Sequence, residues 1–332
     1  MPWLRLLLEK YQAFIYLVFI ILGVALGSKH PTYIKPLENM LSFVIAFLLY
    51  ATFCQVPLAH LPKAFLNYRL LFASLVGNFI LVPLFVGLIL LPIDSMAVKV
   101  GIAMVLLVPC TDWFITFSYL GKAQTKHAIA LLPILLFLQL ILLPFYLLIF
   151  FPHLVEVELD RVKFIKVFFG LIAFPLFLAY ITQRLADFSP VAVKLLNLTG
   201  WLPVPLISLI VFIIFGSYVE TLFHLEGYLL SLTFVFSLYL VFALFLSKLL
   251  ARAAKLTKED GRVLAFNLGT RNSFLVLPIA LALPEGFQET VFVIVYQTLI
   301  ELLGMLFFVH IVPRRVFPED KMPVLPSPHS KQ

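Results

Sequence analysis

Long apolar runs set the boundaries on what this chain can fold into. Ten of them, near 11 to 27, 37 to 58, 70 to 91, 98 to 120, 128 to 151, 164 to 183, 200 to 219, 227 to 247, 263 to 284 and 287 to 312, are separated by short polar connections. Each approaches the roughly 20 residues with which a helix crosses a hydrocarbon core of about 30 Å, and the alternating ten-residue segments of a barrel strand are not the pattern. The expected fold is an all-α membrane protein of about ten transmembrane helices. Composition agrees: the chain is 62% apolar and 12% charged, with a mean hydropathy of +1.07, whereas soluble domains stay near half apolar and carry about twice the charge. The surplus must face lipid.

No connection is long enough to fold as a soluble domain, and the tail at 313–332, rich in Pro, Lys and Ser, reads as disordered. The first run also reads as a cleavable leader, with Lys10 ahead of it and Ala25-Leu26-Gly27 behind, but removing it leaves nine helices and breaks the symmetry below. Cys54 and Cys110 both fall inside expected spans, which gives neither a disulfide framework nor a zinc cluster. There is no phosphate loop, metalloprotease helix or nucleophile elbow, so enzyme chemistry has no motif in its favour and no cofactor or metal is expected.

Of the 24 Lys and Arg, 17 lie in the terminal segments and even-numbered loops, 6 lie on the other side, and Arg271 falls inside a span. The positive-inside rule therefore places both termini in the cytoplasm, with the helices in the cell membrane. Basic loops facing anionic lipid account for the net charge of +7, and no nucleic acid is needed to explain it. The acidic loop at Glu156, Glu158 and Asp160 divides the chain into halves at 1–155 and 156–312, followed by the cytoplasmic tail 313–332. Five helices per half force opposite orientations. Cys110-Thr111-Asp112 lies 159 residues before Gly269-Thr270-Arg271, and Gln139 lies 158 before Gln297. Chance similarity between apolar helices also produces such matches, but the five-plus-five count does not depend on them. Inverted repeats of this kind are the architecture of secondary transporters.

The fourth and ninth runs are interrupted at mid-depth, by Val108-Pro109-Cys110-Thr111-Asp112 and by Asn267-Leu268-Gly269-Thr270-Arg271-Asn272-Ser273. Pro109 removes a backbone donor and Gly269 tolerates non-helical dihedrals, so both helices are expected to unwind and cross there. Irregular backbone at that depth requires burial in protein or a water-filled cavity. Thr111 and Asp112 are expected to cap the second half of helix four, and Arg271 to end the first half of helix nine. A charge at the bilayer centre costs about 2.5–3.5 kcal/mol on the insertion scale, so Asp112 and Arg271 are expected to face each other, as a static ion pair or as part of a substrate site. Glu301 and Gln297 share one face of helix ten. Glu301 reads either as a proton carrier or as a hydrogen-bonded packing residue. Asn78, Gln139, Asn267 and Gln297 read first as interhelical hydrogen-bonders, worth about 0.6 kcal/mol each. His127 and His310, near helix ends, read as interfacial anchors.

Ten helices, inverted halves and breaks in helices four and nine together resemble the bile acid/sodium symporter superfamily, which includes the arsenite permeases of arsenical resistance. Val108-Pro109-Cys110-Thr111 is similar to the Ala-Pro-Cys-Thr of those permeases, so the resemblance implies a contact between Cys110 and arsenite, for which a soft thiolate is suited. A small apolar filler beside a proline is the alternative role for Cys110. Gly269-Thr270-Arg271-Asn272-Ser273 is similar to the Gly-Met-Gln-Asn-Ser of sodium-coupled members. Their sodium ligands include a glutamate two residues before the glycine and the glutamine after it, positions held here by Asn267 and Arg271. One change removes a negative charge and the other adds a positive one, which implies sodium-independent transport. The glutamate that arsenite permeases carry soon after the asparagine is replaced here by Phe274 or Leu275, which leaves Asp112 as the candidate titrating group.

The expectation is therefore a secondary transporter working by alternating access, exporting arsenite or a related oxyanion. Cys110, Thr111, Asp112, Arg271, Asn272 and Ser273 would bind substrate, with Asn267, Glu301, Gln297, Gln139 and Asn78 in support. A carrier of a small organic anion, seated on Arg271 and the half-helix amino terminus at 272–274, is the second reading, and a non-transporting membrane sensor the third.

Overall fold

The computed structural model describes residues 2–57, 65–111, 113–152, 154, 161–219, 226–284 and 286–318. Among these residues there is no strand, only helices joined by short connections: α1 (Pro2–Lys29), α2 (Pro31–Glu38), α3 (Leu41–Phe53), α4 (Tyr68–Ile89), α5 (Met96–Leu106), α6 (Phe114–Leu120), α7 (Thr125–Phe150), α8 (Ile165–Ala186), α9 (Pro190–Thr199), α10 (Pro203–Ser217), α11 (Glu226–Ala253), α12 (Lys258–Gly269), α13 (Ser273–Leu281) and α14 (Gln288–Ile311). Five helices, α4, α7, α8, α11 and α14, are long and apolar enough to cross a bilayer alone. The count rises to seven if the bent pairs α1–α2, at 118°, and α9–α10, at 44°, are each one span. The other expected spans are built differently. Helix α3 has 13 residues, while 98–120 divides into α5 and α6, and 263–284 into α12 and α13. The acidic loop expected to separate the halves lies outside the described residues.

Where helices stop or distort, particular side chains take over the released backbone groups. A helix end leaves carbonyls without intrahelical donors, and at the end of α3 one side-chain amide joins the backbone turns in supplying them. Gln183 Nε2, on α8, donates to the carbonyls of Phe53 at 3.0 Å and Val56 at 2.8 Å. Gln55 Nε2, just beyond, donates to Thr199 Oγ1 on α9 at 3.1 Å. In α4 a π turn at Gly77–Leu81 precedes Pro83. Proline has no N–H to offer the carbonyl four residues back, and that carbonyl, on Phe79, accepts the Tyr146 hydroxyl of α7 at 2.8 Å instead.

The helices pack as two groups. In one, α1, α2, α3, α8, α9 and α10 touch chiefly one another; in the other, α4–α7 pack with α11–α14; α3 against α13 and α10 against α14 are among the sparser contacts between them. Within the first group α1 and α10 approach through glycines. A Cβ on Gly27 would sit 2.1 Å from the Gly216 carbonyl oxygen, and one on Gly23 2.4 Å from that of Phe212. Both obstacles are backbone, which cannot swing away. Gly27→Val is therefore expected to lower the thermal midpoint of the purified protein, with an overpacking cost of about 1–3 kcal/mol. A midpoint equal to that of the parent would show that α1 and α10 separate freely.

Candidate functional site

Helix α5 ends at Leu106 and α6 begins at Phe114; α12 ends at Gly269 and α13 begins at Ser273. The two breaks meet in one isolated antiparallel β-bridge between Pro109 and Arg271. Its hydrogen bonds come from the flanking residues: Cys110 N–H donates to Thr270 O at 3.2 Å, and Asn272 N–H to Val108 O at 2.8 Å. The central residues are thus a non-hydrogen-bonded pair whose own amide groups point away from each other. Proline costs nothing at such a position, and Arg271 is left with an outward N–H, which Glu301 Oε2 accepts at 2.8 Å.

Arg271 is 1% exposed. Its Nη1 donates to Leu106 O at 3.2 Å, and its Nη2 to Leu268 O at 2.6 Å and Asn78 Oδ1 at 2.8 Å. Leu106 and Leu268 belong to the carbonyl ends of two half-helices, where the dipole favours a cation. The Tyr239 ring of α11 lies 5.2 Å from the guanidinium carbon, within cation–π range. The Nε–H alone has no partner among the described residues. Behind the guanidinium, Asn267 Oδ1 accepts Asn78 Nδ2 at 2.7 Å and Ser74 Oγ at 2.6 Å.

Glu301, also 1% exposed, collects three donors. Besides the Arg271 amide, Trp113 Nε1 reaches Oε1 at 3.1 Å and Gln297 Nε2 reaches Oε2 at 2.7 Å. Gln297 Oε1 accepts Ser273 Oγ at 2.8 Å. Asn272 caps α13 by accepting the Leu275 N–H at 3.1 Å, and its Nδ2 donates to Thr111 Oγ1 at 3.1 Å.

Several expectations change. Thr111 does not cap α6: the N-cap is Trp113, without a side-chain cap bond, and Thr111 joins the opposite break instead. Arg271 does not end the first half of helix nine but stands two residues beyond Gly269, its side chain turned back to the carbonyls there. Gln139 makes no interhelical hydrogen bond among the described residues. It is 1% exposed, and neither amide atom has a partner among the described residues. Asp112 lies outside the described residues, so the expected pairing with Arg271 does too; among the described residues no carboxylate lies within ion-pair distance of that guanidinium. Sequence reasoning missed Trp113, whose signal is an obligate donor placed next to a break. It also missed the link of His127 Nδ1 to Asp260 Oδ1 at 2.6 Å, which ties the start of α7 to that of α12.

A cavity of about 100 Å³ opens between the two helix groups beside the bridge. One wall carries Gln12 of α1, Thr52 of α3 and Trp201 ahead of α10. The other carries Cys110, Trp113, Arg271, Asn272 and Ser273. The space suits several waters or one small solute, with polar donors on both sides and aromatic faces between.

A family model described as the Sodium Bile acid symporter family matches residues 42–225, more than half of the 332 residues. No curated protein matches the chain.

Proposed function

Because the chain belongs to the sodium bile acid symporter family, we propose that this membrane transporter is a sodium-independent carrier of a small anion in which Arg271 serves as a built-in cation. One observation carries the reading. The guanidinium rests on the carbonyl ends of two half-helices and on Asn78, an oxygen-rich setting of the kind that holds a coupling cation in broken-helix transporters. A cation already tethered there leaves no reason for sodium to bind.

The proposed architecture has ten crossings as two inverted halves, 1–155 and 156–312, with the tail and both termini in the cytoplasm. Supporting it, α5/α6 and α12/α13 break at matching places and cross at the bridge. The group holding the crossing moves against the group of α1–α3 and α8–α10, and the cavity between them alternates in access. The substrate's anionic end sits on the remaining Arg271 Nε–H and on the first amides of α13 at Ser273 and Phe274, where a helix amino terminus attracts negative charge. Arsenite or a related oxyanion is a second reading, favoured by Cys110 in the same cavity wall.

Proteoliposomes containing the full chain test both. A panel of labelled small carboxylates and arsenite is assayed with sodium and with choline outside. Uptake of at least one carboxylate is expected at equal rates in both media. Stimulation by a sodium gradient overturns the role given to Arg271. For the second reading, Cys110→Ala is expected to abolish arsenite flux and spare carboxylate flux; arsenite flux that survives the substitution removes Cys110 from the mechanism.

A further inference from the structure

Glu301 is held in a way that the carrier reading alone does not require. Two of its three partners, the Trp113 indole and the Arg271 peptide N–H, are obligate donors, and the Gln297 amide presents its NH₂ because its oxygen is engaged by Ser273. A protonated carboxyl needs an acceptor for its own hydrogen, and the described residues around it supply none, so this arrangement favours the carboxylate. The three donors are of different kinds. Gln297 is one turn away on the same helix. The Arg271 amide is locked by the bridge. Trp113 stands in the cavity wall as the N-cap of α6, and its indole is the one donor of the three that a change in the cavity can withdraw.

Among the described residues no other charge takes over this role. Arg271 faces Glu301 but spends its fork on carbonyls and Asn78, and Tyr239 of α11 is the second titratable neighbour. Helices α10 and α13 contain no titratable residue, and the one in α5 is Lys99, in its first turn. In α12 the charged residues lie at the end far from Gly269; Tyr16 of α1 lies in the cavity wall; Tyr119 of α6 is exposed.

We propose that Glu301 is the residue through which this carrier binds a proton, with Trp113 as the gate between it and the cavity. While the indole donates to Oε1 the carboxylate is fully satisfied and stays ionised. When the indole withdraws, Oε1 faces cavity water and takes a proton from hydronium, leaving water and a neutral acid. Arg271 is then the uncompensated charge at the crossing, and the site gains affinity for an anion. Substrate anion and proton therefore move together. This inference rests on the carrier reading, but its test uses the proton as probe and needs no substrate.

The full chain, with Trp3 and Trp201 replaced by phenylalanine, leaves Trp113 as the sole indole. Reconstituted in liposomes, its emission is followed from neutral to acid pH. A single step is expected, absent in Glu301→Gln. A step that persists in Glu301→Gln, or no step in the parent, overturns the proposal. Glu301→Asp keeps the charge and withdraws it by one methylene, so its emission is expected to differ from the parent's before titration begins. An identical trace overturns the proposal even if Glu301→Gln fails to fold. A step without flux of any solute sinks the carrier reading instead, and flux without a step sinks Glu301 alone.

Discussion

Arg271→Ala is expected to be the most damaging single change in this protein, lowering the thermal midpoint by on the order of 10 °C and abolishing flux. The substitution strands the Leu106 carbonyl and Asn78 Oδ1, leaves the Leu268 carbonyl with the Tyr239 hydroxyl, and removes the guanidinium from beside the Glu301 carboxylate. Each buried acceptor left without its donor costs about 1–3 kcal/mol. Arg271→Lys is expected to recover only part of this, since an ammonium on a flexible stem lacks the planar fork that reaches two half-helices at once. The informative variant is Asn267→Glu/Arg271→Gln, which restores both residues that the sodium-coupled pattern carries. If the guanidinium stands in for an ion, this variant gains thermal stability when choline chloride is exchanged for sodium chloride, because an ion that binds only the folded state stabilises it by mass action. The parent does not respond. A parent that responds, or a double variant that does not, removes the tethered-cation reading.

The second large effect has the opposite sign. Gln139→Leu is expected to raise the midpoint, because it replaces a buried amide without partners among the described residues by an apolar side chain of similar size. An unsatisfied buried polar group costs about 1–3 kcal/mol, and removing it recovers that amount. Differential scanning fluorimetry of the purified protein reads the shift, and the uptake assay on the same sample reads its price. Stabilisation with unchanged flux marks Gln139 as dispensable. A fall in stability shows that the amide has partners in the folded protein after all.

The break at Pro109 was legible in the sequence because proline acts through covalent geometry, which does not wait for a tertiary context, whereas Gly269 ends α12 without a positive φ and is packed against Phe308. Both positions marked the breaks, and the crossing followed from their matching depths. What answers Arg271 was not legible. Pairing arguments search for a carboxylate, but its acceptors are mostly main-chain carbonyls, which carry no residue identity and become available only once two helices end side by side. Thr111 was misassigned for a related reason. A threonine ahead of a helix reads as its cap, yet the bridge brings Asn272 within reach first. The second run is longer than its helix, because α3 stops at Phe53, where backbone turns and Gln183, some 130 residues later, supply the carbonyls with donors. Apolar composition continues past that point, and hydropathy registers only composition.

The β-bridge at the crossing has a mechanical consequence. Its two main-chain hydrogen bonds rivet the broken segments together at the one level where neither is a helix, and side-chain bonds from Asn272 to Thr111 and from Arg271 to Leu106 clamp it on both sides. Two rods fastened at their midpoints do not slide past one another. In the carrier cycle proposed above they would turn as one lever, with the fastening as its axle, and a solute resting beside an axle would change sides without travelling far itself.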